Sequence, residues 1–239
     1  MGSPEVSVIL PTYQERESLE LLAPLLAHAL AGYAAEVVVV DDASPDGTAD
    51  YAASRSGALP WKVVRRARRL GLASAVLDGI AASTSPVIVV MDADGSHPPD
   101  TLPALIDTVR QGGAELALAS RRASGASMTG FVGLRKMVSS VAGALARPLT
   151  KVSDPMTGYF AMRRSILGRS PLTPVGYKIG LEILVKCRPR PVVEIPFHFG
   201  PRMAGESKLD RREIGSYLQH LWRLYWWRLV STGRTSRTR

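Results

Sequence analysis

Two aspartates, Asp92 and Asp94, flank Ala93 directly after the apolar run Val87-Ile88-Val89-Val90-Met91. Carboxylates that leave a buried strand need water, hydrogen-bond donors or a cation. At positions i and i+2 both can turn toward one hard divalent cation, Mg2+ or Mn2+, that also holds a diphosphate. A lone Asp-x-Asp is equally the pattern of an ordinary acidic loop, but this one has company. Asp41-Asp42 closes a second run, Glu36–Val40, and the polar stretch Pro11-Thr12-Tyr13-Gln14-Glu15 follows a third, Val6–Leu10. Ser120-Arg121 closes a further run, Glu115–Ala119. Parallel strands bring their carboxyl ends to one edge, where open α/β sheets bind ligands. The four polar segments are therefore expected to share one site.

The intervening segments must supply that edge. Ser18–Leu30 has helical spacing with Ser18 as its N-cap, Ala73–Ala82 and Pro98–Gln111 read as further helices, and Trp61–Val64 reads as a strand. Short, nearly continuous apolar strands alternating with helices indicate a mostly parallel sheet covered on both faces. The chain has 239 residues, 46% of them hydrophobic, enough for a full core. No Gly-x-Gly-x-x-Gly follows the first strand and no Gly-Lys-Ser/Thr occurs, which removes the main support for nicotinamide or P-loop chemistry. The single cysteine, Cys187, excludes an internal disulfide and any multi-cysteine metal site. His97, beside the carboxylates, reads as structural, and Arg65-Arg66-Ala67-Arg68-Arg69 reads as a solvated loop.

Taken in order, Pro11-Thr12-Tyr13-Gln14-Glu15, Asp41-Asp42-Ala43-Ser44-Pro45-Asp46-Gly47-Thr48, Gly71-Leu72 and Asp92-Ala93-Asp94-Gly95-Ser96-His97-Pro98-Pro99 carry a specific likeness. The sequence resembles the dolichyl-phosphate mannose synthase branch of the inverting family 2 glycosyltransferases, which have the α/β GT-A (Rossmann-like) fold. The likeness continues through Arg135, Asp154-Pro155-Met156-Thr157-Gly158-Tyr159, Gly176-Tyr177-Lys178, Glu182 and Arg202-Met203-Ala204-Gly205-Glu206-Ser207-Lys208, and covers nearly all of residues 5–210. It implies transfer of mannose from GDP-mannose to dolichyl or polyprenyl phosphate, with inversion to a β-linked lipid-phosphate sugar. Pro11, Tyr13, Glu15, Asp41 and Asp42 would hold the nucleotide base and ribose. Asp92, Ala93 and Asp94 would hold the diphosphate and its Mg2+ or Mn2+. Many relatives carry an apolar residue and then Gln where Gly95-Ser96 stands here, so Ser96 or water would stand in for a third metal ligand. Lys178, Arg202 and Lys208 would meet donor phosphates, Arg121, Arg135 and Ser139 the acceptor phosphate, and Asp154 would lie on the acceptor side. Another nucleotide-sugar, such as UDP-glucose, or a non-lipid acceptor is the alternative within the family.

Charge separates the two halves. Residues 1–100 carry a net −6 and residues 101–239 a net +15, within an overall +9. From Leu116 through Ser153 there is no acid, only Arg121, Arg122, Arg135, Lys136, Arg147 and Lys151. Phe131, Leu134, Val138, Val141 and Leu145 recur at helical spacing, so about 128–147 is expected to be an amphipathic interface helix. Arg135 and Ser139 stand one turn apart on it. Residues 211–231 form a second such helix, with Ile214, Leu218, Leu221 and Tyr225 as a stripe and Trp222, Trp226 and Trp227 beside it. Residues 1–210 would then be the GT-A domain and 232–239 a polar basic tail. Tryptophan and tyrosine with nearby arginine favour an anionic membrane interface. No apolar run reaches the roughly 18 residues of a membrane span, so a peripheral place on the cytoplasmic side of a membrane is expected. Relatives often continue into transmembrane helices here, whereas this sequence ends at Arg239, so it is expected to be either a short form that relies on a small membrane-protein partner or a truncated form of a longer chain. A basic nucleic-acid-binding domain is disfavoured, because aromatics are only 6% and no nucleic-acid motif occurs.

Overall fold

A computed structural model describes residues 2–128, 134–173, 175–201 and 211–235, and side chains within 2–127, 140–173, 175–201 and 214–231. The strands are β1 (Val6–Thr12), β2 (Ala35–Asp41), β3 (Trp61–Arg65), β4 (Val87–Val90), β5 (Leu116–Ser120), β6 (Ser127–Met128), β7 (Phe160–Arg163), β8 (Val192–Pro196) and β9 (His198–Phe199). Seven of them form one sheet in the order β3-β2-β1-β4-β7-β5-β8, and β6 pairs with β9 apart from it. The expected mostly parallel sheet forms, with β7 inserted antiparallel between β4 and β5. The chain leaves β1 toward β2 on one side and β4 on the other, so the switch in strand order falls between β1 and β4.

The helices are α1 (Arg16–Ala29), α2 (Thr48–Ala53), α3 (Leu72–Ala82), α4 (Leu102–Arg110), α5 (Leu134–Ala146), α6 (Ile179–Lys186) and α7 (Arg211–Thr235). The central strands are apolar throughout because both faces are covered. Val8 and Leu10 of β1 pack with Leu19, Leu22 and Leu26 of α1, while Ile9 between them packs with Val76 and Ile80 of α3. Full burial of each such aliphatic side chain contributes about 1.5–3 kcal/mol. A Cβ on Gly79 would overlap Ile9 Cγ2 and stand 3.0 Å from Val40 Cγ2, so only glycine lets α3 approach this closely.

One local expectation is corrected. Ser18 does not cap α1: the helix starts two residues earlier, and Ser18 is buried with its Oγ unpartnered. The early N–H groups are met from the next loop instead, Glu15 N donating to Thr48 Oγ1 (3.1 Å) and Arg16 N to Asp46 Oδ2 (3.2 Å). A cap supplied from 30 residues away leaves no local spacing to read. The expected apolar stripe on α5 has two members with described side chains, Val141 and Leu145. Val141 and Leu145 are exposed, whereas Ala142 and Ala146 are buried against Tyr217, Leu221 and Leu224 of α7. Small residues let the two helices come close, and Tyr217 and Tyr225 donate hydroxyls to the carbonyls of Ala142 and Leu145 (2.7 Å each). On α7, Leu221 faces inward but Ile214, Leu218, Trp222, Trp226 and Leu229 face out. Among the described residues no helix is long and apolar enough to cross a membrane.

The seam between α6 and α7 holds a buried polar group with a pH signature. His220 is 2% exposed and its Nε2 has no hydrogen-bond partner. Burial lowers its pKa, and Lys186 and Arg223 push the same way while Glu182 opposes them. Glu182 is itself tied to Lys186 (2.6 Å) and to Thr173 N (2.8 Å). A neutral histidine here stabilises the fold fully above its unfolded pKa of about 6.5, and that contribution is lost as pH falls through the lower folded value. Melting temperature between pH 7.5 and 5.5 should therefore fall less in His220→Gln than in the wild type. Equal falls would remove His220 as a source of acid sensitivity.

Candidate active site

The edge formed by the carboxyl ends of β1, β2, β4 and β5 collects the acidic pairs. Asp41 and Asp42 are buried at the end of β2. Thr12 Oγ1 donates to Asp41 Oδ1 (3.2 Å), and Ser44 donates its N–H (2.9 Å) and hydroxyl (2.5 Å) to the same carboxylate. Gln14 N donates in turn to Ser44 Oγ (2.9 Å), so the loops after β1 and β2 are stitched together. Gln14 and Ala43 both adopt left-handed backbone angles, φ 58° and 61°, and such conformations concentrate at functional sites.

Asp42 holds the loop that follows β3. It accepts from Arg66 Nη1 (2.9 Å), Leu70 N and Gly71 N (2.8 Å each). Arg66 therefore departs from the solvated loop expected of the basic run, whereas Arg65, Arg68 and Arg69 are exposed as expected. The Arg66 side chain is only 5% exposed, with Ser74 Oγ at 2.8 Å and its Nε 3.1 Å from Asp78 outside hydrogen-bond geometry. Arg69 lies over the Tyr13 ring (4.2 Å) and Arg65 pairs with Asp50 (2.7 Å). Arg69 thus lies beside Tyr13, and Arg66 is buried on the distant Asp42 and on Ser74. Glu15 lies at the entrance of α1 and Pro11 within the last turn of β1.

Asp92 and Asp94 emerge after β4. Asp94 is buried, and its Oδ1 accepts both the N–H (3.0 Å) and the hydroxyl (2.6 Å) of Ser96. The side chain of Asp92 is 35% exposed, and its N–H donates to His97 Nδ1 (2.9 Å). That bond puts the proton of neutral His97 on Nε2, 3.8 Å from Asp92 Oδ2. Burial depresses the His97 pKa, against the pull of Asp92 and Asp94. His97 also stacks on Tyr159 (4.9 Å), whose hydroxyl donates to Pro98 O (3.0 Å). Gly158 is not in the left-handed region, and a Cβ there would face Asp92 Oδ1 at 3.7 Å, so the glycine leaves room before the carboxylate. Ala93 is buried between the pair.

The antiparallel sense of β7 explains how residues from late in the sequence reach this edge. Entering β7, segment 154–159 must cross the ends of β4 and β5, and Ala119 N donates to Tyr159 O (2.9 Å). Asp154, 1% exposed, accepts from Arg121 N (3.0 Å), Nε (2.7 Å) and Nη2 (2.8 Å). Burial would raise the Asp154 pKa, but these bonds and the Arg121 charge outweigh it and hold the carboxyl below its ordinary range. Ser153 N (2.9 Å), Ser153 Oγ (2.6 Å) and Asp154 N (3.1 Å) donate to Glu194 of β8. Sequence reasoning missed Glu194, although an acid within Val192-Val193-Glu194-Ile195 breaks an apolar strand and was a visible signal. Lys178 donates to Met156 O (2.7 Å) and is felt electrostatically by both His97 and Asp154. His97 in turn feels Asp92, Asp94 and Arg121, so these charges belong to one site.

Arg135 and Ser139 lie on α5, but their side chains fall outside the described residues, as do Arg202 and Lys208 altogether. Among the described residues no three His, Cys, Asp or Glu side chains converge as a metal cage. Asp92 and Asp94 still suit a hard divalent cation that takes its remaining oxygens from water or a diphosphate.

Residues 7–170 match the Glycosyl transferase family 2 profile. The chain belongs to glycosyltransferase family 2. This family 2 chain is 44% identical over 227 residues to a dolichol-phosphate mannosyltransferase of Pyrococcus furiosus, covering 93% of this chain and 64% of that one. The same named enzyme of Saccharomyces cerevisiae is 36% identical over 92% of this chain and 87% of its own. An undecaprenyl-phosphate mannosyltransferase of Micrococcus luteus is 35% identical over 88% of this chain and 89% of its own. The family fold recurs in glucosyl-3-phosphoglycerate synthase of Mycobacterium tuberculosis, solved with Mn2+, UDP-glucose and phosphoglyceric acid. That structure superposes with a TM-score of 0.68 at 21% identity, covering 94% of this chain and 79% of that one.

Proposed function

We propose that this family 2 glycosyltransferase moves mannose from GDP-mannose to dolichyl or polyprenyl phosphate at an anionic membrane surface, using Mg2+ or Mn2+. The observation that carries the reading is the meeting of two opposed charge sets at one sheet edge: Asp92 and Asp94 on one side, Arg121 and Lys178 on the other. The relatives named for dolichol-phosphate and undecaprenyl-phosphate transfer supply the sugar and acceptor class.

A phosphate acceptor is already ionised near neutral pH and needs no strong base. Asp154 agrees with that chemistry, because its carboxylate is committed to Arg121 rather than poised to take a proton. Arg121, with Arg135 and Ser139, would orient the acceptor phosphate, since a guanidinium gives two parallel charge-assisted bonds. Arg202 and Lys208 would meet the donor phosphates. A divalent cation held by Asp92 and Asp94 would take up negative charge on the leaving diphosphate. Ser96 keeps the Asp94 carboxylate oriented for it. Alignment of the two anions supplies the rest of the rate, in a single displacement with inversion. Exposed Leu218, Trp222, Trp226 and Leu229 on α7, with Val141 and Leu145 on α5, support the membrane surface.

The test is transfer of radiolabel from GDP-mannose into solvent-extractable lipid, with dolichyl phosphate, detergent and Mg2+ or Mn2+ supplied. Labelled lipid is expected. Transfer only from UDP-glucose, or only to a water-soluble acceptor, would replace the proposed substrates.

A further inference from the structure

Away from the strand-end site, a cavity of about 650 Å³ opens between the segment after α5, the turn after α6, strand β8 and α7. Its walls carry five basic side chains, Arg147, Lys151, Arg188, Arg190 and Arg228, and one acid, Glu194. One acid cannot balance five cations, and both its oxygens already accept from Ser153 and Asp154, with three donors at 2.6–3.1 Å. Among the described residues, Arg147, Lys151, Arg188 and Arg190 form no ion pair. An excess of cations crowded into a concavity is self-repelling, and an anion relieves that repulsion.

The backbone adds a second indication. Arg188 adopts a left-handed conformation, φ 47°. The other described non-glycine residues of this kind, Gln14 and Ala43, line the cleft beside Asp41 and Asp42. A glycine would adopt this angle without strain, so keeping arginine there points to a use for its cation. Its guanidinium lies over the Trp227 ring (5.4 Å) and donates to Ser231 Oγ (3.2 Å), which fixes it against α7. Arg228 is fixed too, donating to Pro148 O (2.6 Å). Next to these in sequence stand the exposed apolar residues Trp226, Leu229 and Val230.

We propose that this cavity binds a phosphate-type anion through Arg147, Lys151, Arg188, Arg190 and Arg228, separately from donor and acceptor. Arginine and lysine together suit a phosphate mono- or diester, which offers several oxygens to a ring of donors. A headgroup of an anionic lipid and a free phosphate share this chemistry.

The test uses the full chain with saturating GDP, and titrates it with inorganic phosphate and, separately, with vesicles of phosphatidylglycerol or of phosphatidylcholine alone. The variant is Lys151→Ala/Arg190→Ala, whose exposed side chains make no hydrogen bond among the described residues. Lys62→Ala/Arg68→Ala removes the same charge near β3, at the opposite edge of the sheet. Saturable binding is expected in the wild type and the Lys62/Arg68 control, weakened about tenfold or more in Lys151→Ala/Arg190→Ala. Binding of phosphate in solution would assign the free anion, and binding of phosphatidylglycerol vesicles alone would assign the headgroup. Absence of saturable binding overturns the proposal. So does an unchanged affinity in the cavity variant, or an equal loss in the control, which would reduce the effect to diffuse charge.

Discussion

Asp94→Ala is expected to lower mannosyl transfer by about a thousandfold or more, the scale on which lost stabilisation of transition-state charge appears. The reasoning starts from its setting. A carboxylate 5% exposed, with an N–H and a hydroxyl aimed at one oxygen, is held in place before any ligand arrives. Each 1.4 kcal/mol lost from the barrier reduction is a factor of about ten, and under the proposed reaction Asp94 would hold the cation that takes up charge on the leaving diphosphate. Alanine also strips the buried Ser96 N–H of its partner, so some destabilisation is expected. Asp94→Asn separates the two effects, because it keeps the acceptor oxygen and removes the charge. Both variants should lose turnover, while Asp94→Asn should keep a melting temperature near that of the wild type. Ser96→Ala should cost less, about fivefold, because the charge stays and one orienting bond of about 1 kcal/mol is lost. The decisive measurement is initial rate against Mg2+ or Mn2+ concentration. A folded Asp94→Asn protein with a tenth of wild-type activity or more would remove Asp94 from the metal and donor site.

The parts of this site that could be read from the sequence lie where an unbroken apolar strand stops at a polar residue. Val87–Met91 before Asp92, and Glu36–Val40 before Asp41, are strand ends by composition alone, and parallel pairing brings them together. What escaped depends on partners far away in the chain. Arg66 looks like one of four loop arginines until Asp42, 24 residues earlier, takes it into the core. The cap of α1 comes from Asp46 and Thr48, so Ser18 is a misleading local signal. Strand β7, only four residues long and antiparallel, has no periodicity that marks it, yet it alone explains why Asp154–Tyr159 reaches the ends of β4 and β5. Helical spacing identified an apolar stripe on α5, and its described members Val141 and Leu145 lie outside while Ala142 and Ala146 are buried against α7. An outward stripe of large apolar residues marks a surface that meets something other than water.

Removing either partner of the Arg121–Asp154 pair is expected to cost more than removing both. The carboxylate is 1% exposed and accepts three bonds from Arg121, whose side chain is 12% exposed. Stripping one partner from such a buried pair leaves an uncompensated charge, at a cost of about 3–5 kcal/mol. Asp154→Ala and Arg121→Ala should each lower the denaturant midpoint strongly, and the double variant should lose less than either of them. Additive losses would show that the two side chains do not act as a unit. The pair also decides what Asp154 does in the reaction. Its folded pKa is lowered, so its contribution to stability is complete above the unfolded carboxylate value of about 4 and is lost as pH falls through the folded value. Down to pH 5 Asp154 stays ionised, and a residue that never takes a proton there imposes no acid limb on the rate. Asp154→Asn should accordingly lower kcat/KM through a displaced Arg121, while the shape of the pH–rate profile stays as in the wild type. If an acid limb present in the wild type vanished in Asp154→Asn, Asp154 would be a proton acceptor. The acceptor hydroxyl, rather than an ionised phosphate, would then be the nucleophile that the site was built for.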